Sequence, residues 1–425
     1  QMIEQLAYDN IAKFDPTGWA SGNYANQEPS KKRAGAFLGD LVNELFDSSG
    51  KAKYDTDWYN EIRQRRMSQN HQIGFSGGDD KRTFNASIGL RDERGLLINS
   101  YMKRYSTRFN FEDQVNSWLK VGGTVDFSVR QENNQDTGPW VFESATHAFP
   151  FLPVQYATGN SPFFPPWFLN YASNLEYGFG TGAGGNFMYN PVMDLNNRKY
   201  MTDSHNFTGS FFTNINISKD LELRTSVSSN ILNQGRKIFY PQFMNGGNNG
   251  AIQSNARNVF YSIENYLTYS KEIDDNNSIT ALLGASWQQT DLTWFQGDGY
   301  GTPSDGYGPN NLGAASFKNS SSSMSREALN SFFTRINYNL KDKYFFTFTA
   351  RADGSSKFGK ANKWAFFPSA AAAWRLSKED FLSNSDVISN LKLRASYGQT
   401  GNSSIPAYSS EAQLGPGSLL GGSNI

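Results

Sequence analysis

The chain has 425 residues, equal numbers of basic and acidic side chains (Lys+Arg 39, Asp+Glu 39) and no cysteine. Zero net charge excludes the basic excess that a nucleic-acid binder needs, and the missing cysteines exclude disulfides, thiolate-bound zinc and thiol chemistry. A mean hydropathy of −0.59, with no apolar run near the ~18 residues of a spanning helix, excludes a helical membrane protein but not a barrel, whose strands show lipid only every second residue.

The helical signals come first. Arg33 to Phe46 (RAGAFLGDLVNELF) places Phe37, Leu38, Leu41, Val42 and Leu45 on one helical face. Thr56 to Met67 (TDWYNEIRQRRM) opens on a Thr/Asp cap and predicts a second short helix. The Arg63, Arg65 and Arg66 cluster reads as solvated.

From there strands come in pairs. Gln72 to Gly78 turns at Asp79-Asp80-Lys81 into Arg82 to Arg91, where Phe84, Ala86, Ile88 and Leu90 share a face. Lys103 to Glu112 leads into Trp118 to Arg130. There Leu119, Val121, Val125, Phe127 and Val129 alternate with Lys120, Thr124, Asp126, Ser128 and Arg130, a charged face that suits a wet lumen. A Pro-, Gly- and aromatic-rich stretch then runs from Gln131 to Ser204. Pairing resumes with His205 to Ser218 and Asp220 to Leu232, and later with Asn258 to Ser270 and Asn277 to Gln289. Loops are expected at 233–257 and 290–328.

The last group alternates most clearly. Ile336, Tyr338 and Leu340 oppose Arg335, Asn337 and Asn339; after a turn at Lys341-Asp342, Tyr344, Phe346 and Phe348 oppose Thr347 and Thr349. Trp364 to Leu376 and Asn390 to Thr400 follow, joined by a helix-like connector at Ser377 to Ser389. Aromatic residues crowd the apolar strand ends, where barrels in outer membranes carry their aromatic girdles. Tight turns alternate with long loops along the chain, an asymmetry expected of that architecture.

The runs RADGSSKFG, KWAFFPSAAAAWRLSKEDFL and SNLKLRASYGQTGN, with the earlier DTDWYNEI, QNHQIGFSGGDDKRTFNASIGL and YSTRFNFEDQVNSWLKVGGTVDFSVR, resemble the SusC/RagA-like TonB-dependent transporters of the bacterial outer membrane. The match is close over Asp55 to Arg130 and Phe332 to Asn402. This resemblance implies an all-β fold, about 12 of 22 antiparallel strands of a transmembrane barrel. It further implies a Bacteroidota-type importer of oligosaccharide or peptide, partnered by a SusD-like surface lipoprotein and driven by TonB–ExbB–ExbD through a plug and TonB box. Neither plug, TonB box nor signal peptide is recognisable in these residues, and the chain reads as a piece of a longer one that lacks the C-terminal strands. The expected division is a helix-containing extracellular insertion over 1–71, barrel strands with outer loops at 131–204, 233–257 and 290–328 over 72–400, and a truncated outer loop over 401–425.

Catalytic and metal chemistry is not legible. His71, His147 and His205 are isolated, GxSxG, HExxH and P-loop patterns do not occur, and Gly180, Gly182 and Gly185 match GxGxxG without the strand and helix a dinucleotide fold needs. Asp298, Asp305 and the Asp353 turn read as ordinary turn chemistry rather than calcium ligands. No cofactor, metal or enzymatic activity is expected. The functional promise lies in aromatic side chains of the loops: Trp140, Phe142, Phe163, Phe164, Trp167, Phe168 and Tyr171, with Trp294, Tyr300 and Tyr307 as a second set. These would pack together or offer platforms to ligand or partner. Lys120, Asp126, Arg130, Glu222, Arg224 and Arg335 are expected to face the lumen. Two alternatives stay open: a secreted or surface all-β glycan-binding protein, whose apolar strand faces would be buried in a sandwich, and an outer-membrane hydrolase, which lacks a recognisable catalytic set.

Overall fold

A computed structural model describes residues 45–134, 140–148, 150–154, 191–242, 249–383 and 387–411. The helix expected over Arg33 to Phe46, apart from Leu45 and Phe46, and the rings Phe163, Phe164, Trp167, Phe168 and Tyr171 lie outside these residues. Strands β1 (Gln69–Gly78), β2 (Arg82–Arg94), β3 (Tyr101–Gln114), β4 (Leu119–Asn133), β5 (Lys199–Ser218) and β6 (Leu221–Tyr240) are followed by β7 (Gly250–Asp274), β8 (Asn277–Tyr300), β9 (Phe317–Leu340), β10 (Tyr344–Ser355), β11 (Trp364–Arg375) and β12 (Lys392–Gly398). They form one 12-stranded sheet in sequence order, each strand antiparallel to the next. Short helices α1 (Trp58–Glu61), α2 (Trp140–His147) and α3 (Pro191–Asn197) lie in the connections.

Register sorts the side chains into two faces, because residues directly opposite on neighbouring strands point the same way. One row runs Phe75, Ala86, Phe109 and Val125 across β1 to β4. A second runs Ala281, Ile336, Phe348, Ala370 and Tyr397 across β8 to β12, setting large rings against small neighbours. These rows are apolar yet uncovered: Phe75 is 64% exposed, Phe348 55% and Tyr397 78%. A sandwich would lay a second sheet over it, and the described residues form a single sheet. An apolar sheet face of this extent demands lipid.

The turns are built by local polar groups. Asp79 accepts the backbone N–H of Lys81 and Arg82, both at 2.8 Å, and these bonds hold its carboxyl below the usual range. Between β9 and β10, Lys341 and Asp342 take φ of 54° and 51°, and the N–H of Lys343 donates to the Leu340 carbonyl at 3.1 Å. This is the tight turn whose twist suits an antiparallel pair. Arg375 and Lys378 bind the Asp342 carboxylate at 2.5 and 3.3 Å, tying the turn to the end of β11.

Strand length departs from expectation. Crossing a membrane takes about 9–11 residues per strand, but β7 has 25, β8 24 and β9 24. At the tight-turn end β7 runs on from Tyr269, the partner of Leu221, only to Asp274, so most of the excess projects at the loop end. The loops expected at 131–204, 233–257 and 290–328 therefore shrink to the connections 134–198, 241–249 and 301–316. Past the lipid level both faces meet water, so alternation no longer marks the strand; Lys318 to Met324 of β9 are exposed on both sides. The helix-like connector expected at Ser377 to Ser389 is instead a 3-10 turn at Leu376–Lys378 followed by irregular chain in its described part. The helix expected over Thr56 to Met67 is confined to α1, capped by Asp57, which accepts the Asn60 N–H.

Candidate functional site

The second face of the sheet is polar and carries Lys120, Asp126, Arg130, Glu222, Arg224 and Arg335 together. A single register line joins Lys120, Asn214, Arg224, Tyr266, Gly284, Phe333, Arg351 and Phe367 across β4 to β11. Along this line the Arg224 guanidinium sits 4.0 Å from the Phe212 ring centroid and Arg351 5.3 Å from that of Phe333. Tyr266 and Phe333 lie 5.7 Å apart, and Tyr266 donates its hydroxyl to Glu264 at 2.5 Å. Glycines let these rings lie flat on the wall: a Cβ at Gly122 would stand 2.6 Å from Phe212, and one at Gly284 would overlap Phe333. The result is a belt of rings and guanidinium groups. Each such contact contributes on the order of 0.5–1 kcal/mol where water reaches it.

Most other charges on this face are paired locally. Lys120 meets Glu112 at 2.6 Å, Arg108 meets Asp126 at 2.9 Å, and Arg130 lies 3.6 Å from Glu132. Arg351 binds Asp353 at 2.7 Å and Ser331 at 2.8 Å, while Arg335 donates to Thr349 at 3.4 Å. Glu222 stands in register between Asn216 and Thr268. Solvated pairs of this kind add little stability. Their consequence is a polar wall with alternating signs rather than one strong field.

At the loop end the connections are anchored in two places. Leu45, Trp58, Ile62, Val141, Ala145, Leu152, Val192 and Leu195 form a small buried core joining α1, α2 and α3, with the Phe46 and Phe151 rings 5.3 Å apart. Burial here pushes the Asp194 carboxyl up to about 6 against the pull of Arg198, whose Nε stands 2.9 Å away. The second anchor is Asn249, 1% exposed, which donates to the Thr302 carbonyl at 3.1 Å and to Asp305 at 3.0 Å. The Thr302 N–H returns a bond to Asn249 at 2.6 Å, and the Gln242 N–H binds Asp305 at 3.0 Å. Gln242 and Asn249 are thereby tied to the 301–316 connection.

The loop aromatics are placed as follows. Trp140 opens α2, and Phe142 on the same helix is 38% exposed. Trp294 and Tyr300, expected in a loop, are strand residues of β8; Trp294 lies on the polar face in register with Ala256 and Ser323. Tyr307 is 42% exposed in the 3-10 segment Asp305–Asn310. Phe212, Tyr266, Phe333 and Arg351 were not anticipated. For the three rings the sequence carries half of the signal, an aromatic residue at a polar position of an alternating strand; the glycine beside it on the neighbouring strand is supplied by register. Among the described residues no three His, Asp or Glu side chains are grouped to hold a metal.

A family model described as TonB dependent receptor-like, beta-barrel matches residues 142–424. TonB-dependent receptor P26 of Formosa agariphila is 28% identical over 398 residues, covering 92% of this chain and 38% of its own length. TonB-dependent receptor SusC of Bacteroides thetaiotaomicron is 28% identical over 365 residues, covering 83% of this chain and 35% of its own. A chain from the structure of the RagAB peptide transporter superposes with a TM-score of 0.69 at 24% identity, covering 91% of this chain and 44% of that one. The chain thus spans well under half the length of these relatives, and its fold is that of part of such a barrel.

Proposed function

This chain belongs to the TonB-dependent receptor-like β-barrel family of the bacterial outer membrane, and from that premise we propose that it forms the barrel wall of a TonB-dependent importer of oligosaccharide or peptide within a SusCD-like complex. The observation that carries the reading is the division of the sheet into an apolar face and a charged, ring-bearing one. Lipid requires the first and a hydrated path the second. The outer-membrane location and the uncovered apolar face favour this reading over the secreted or surface all-β glycan-binding alternative.

On this reading the remainder of the full-length protein supplies the strands that close the sheet between β1 and β12, since an open edge is not tolerated in lipid. TonB–ExbB–ExbD would act through a plug in the lumen. The projecting ends of β5 to β9, braced by the Asn249–Asp305 network, would form the outer rim. Phe142 and Tyr307 would suit docking of a SusD-like lid, and the sequence offers Trp140, Phe163, Phe164, Trp167, Phe168 and Tyr171 as further aromatic candidates for the same contact.

The test is growth of cells with and without the full-length gene on defined pools of oligosaccharides or peptides as sole nutrient. Deletion is expected to abolish growth on one pool, with rescue by the wild-type gene only while TonB is present. Unaffected growth on every pool contradicts the import reading. Purification in mild detergent is expected to recover a surface lipoprotein in near-equal amount, and a lone barrel would contradict the lid.

A further inference from the structure

The apolar face changes character along one line at the loop side of β5, β6 and β7. From Val125 its register continues through Gly209, Ser229 and Tyr261, which fixes the residues of these strands that point to lipid. Ile215, Leu223 and Leu267 share one row of that face, and Phe207, Ile231 and Val259 share another. Between the two rows each strand covers about the 9–11 residues that cross a membrane. The next residues to point the same way are His205, Asn233 and Arg257, again in one row and all exposed. Three polar side chains, one of them a fixed cation, thus stand side by side just beyond the lipid level, on the outside of the wall and away from its lumen.

These three are uncommitted: none makes a hydrogen bond or ion pair with another described residue. Nearby carboxylates leave Arg257 its charge. Asp291, opposite Val259 on β8, is already held by Arg326 through bonds of 2.6 and 3.1 Å. Asp203 stands one row further out on β5, with Gly235 between it and β7. A guanidinium grips a phosphate through two parallel N–H groups, and Asn233 and His205 each add an N–H donor, the imidazole in either protonation state. A phosphate carried on a lipid suits this place better than one free in water. Its acyl chains would lie against Phe207, Ile231 and Val259 and the exposed Phe211 and Tyr261 below, while its headgroup meets the donors.

We propose that His205, Asn233 and Arg257 form a site on the outer circumference of the barrel for the phosphate of an outer-leaflet lipid. The site faces the membrane, so it is independent of what the lumen carries.

The full-length protein, purified in a neutral detergent, would be titrated with bisphosphorylated lipid A and with its dephosphorylated counterpart, bound lipid being counted by native mass spectrometry. The phosphorylated form is expected to bind at least about fivefold more tightly, and Arg257→Gln to raise its Kd about fivefold, the effect of one cation beside an anionic headgroup. Asn233→Asp, which places a carboxylate between the other two donors, is expected to weaken binding by at least as much, and heat-modifiable migration on gels reports that each variant barrel is folded. Lys271→Gln, on the same face at the tight-turn end of β7, is expected to leave binding unchanged. Equal binding of the two lipid forms overturns the site, and so does binding that the folded Arg257 and Asn233 variants leave intact. A loss in Lys271→Gln as large as in Arg257→Gln would mean diffuse attraction in place of a site. Displacement of the lipid by an excess of inorganic phosphate would make it a site for a free anion and overturn the lipid assignment. Each of these failures leaves the import reading standing, since growth on the nutrient pools tests that separately.

Discussion

Tyr344 donates its hydroxyl to Glu379 at 2.7 Å, and this bond ties the first residue of β10 to the connector after β11. The Trp374 indole and the Lys343 ammonium reach the same carboxylate, each at 2.9 Å, and Trp374 stacks on Tyr344 with centroids 6.4 Å apart. These donors, Tyr344 first, push the Glu379 carboxyl from the usual 4.5 down to about 2. A folded value below the unfolded one means the contribution is complete above about 4.5 and is lost only as pH falls toward about 2. The indole N–H resonance of Trp374 in the full-length protein is therefore expected to hold its position down to about pH 3, well inside that window. A titration midpoint near 4.5 would contradict the clamp, and Glu379→Gln should remove the acid transition.

Charge on the apolar face should be costly. Phe348→Arg is expected to destabilise the full-length barrel by about 2–4 kcal/mol, and Thr347→Arg on the opposite face by much less. Reversible urea unfolding from lipid vesicles measures both. Equal costs would mean that the two faces do not differ in solvent.

The belt depends on space at Gly284. Gly284→Val drives a side chain into the Phe333 ring and is expected to cost about 1–3 kcal/mol. Phe333→Ala in the same protein should recover a large part of that loss, because the overlap disappears. Additive effects in the double variant would show that the two residues do not meet.

Sidedness follows from parity, since each strand crosses once. An epitope inserted at Gly246, in the 241–249 connection, should be seen by antibody on intact cells, and one at Lys219, between β5 and β6, only after permeabilisation. The reverse pattern would invert the topology.

What the chain revealed in advance, and what it hid, has one physical origin. Within the lipid-spanning level, solvent differs between the faces, and alternation marked every strand: Tyr344, Phe346 and Phe348 against Thr347 and Thr349 is the clearest case. Beyond it, Lys318 to Met324 meet water on both sides, so β9 is much longer than its pattern. Lys120, Asp126 and Arg224 were legible on the polar face because charges interrupt apolar strands there. Phe212, Tyr266 and Phe333 were hidden because a ring at a polar position makes sense only beside Gly122 or Gly284, a neighbour that register alone supplies. Asn249 was hidden for the same reason, its partners Thr302 and Asp305 lying two strands further along the chain.

The central claim is the orientation of the two faces, and single-cysteine labelling tests it most directly because the chain has no native cysteine. Phe346→Cys, Thr347→Cys, Phe348→Cys and Thr349→Cys would be placed one at a time in the full-length protein, in native membranes. A small water-soluble thiol reagent is expected to modify positions 347 and 349 and to spare 346 and 348, with a lipid-soluble reagent giving the opposite pattern. Aqueous labelling at 346 and 348 with protection at 347 and 349 would contradict the account, since a shift of one residue exchanges every side chain between lipid and lumen.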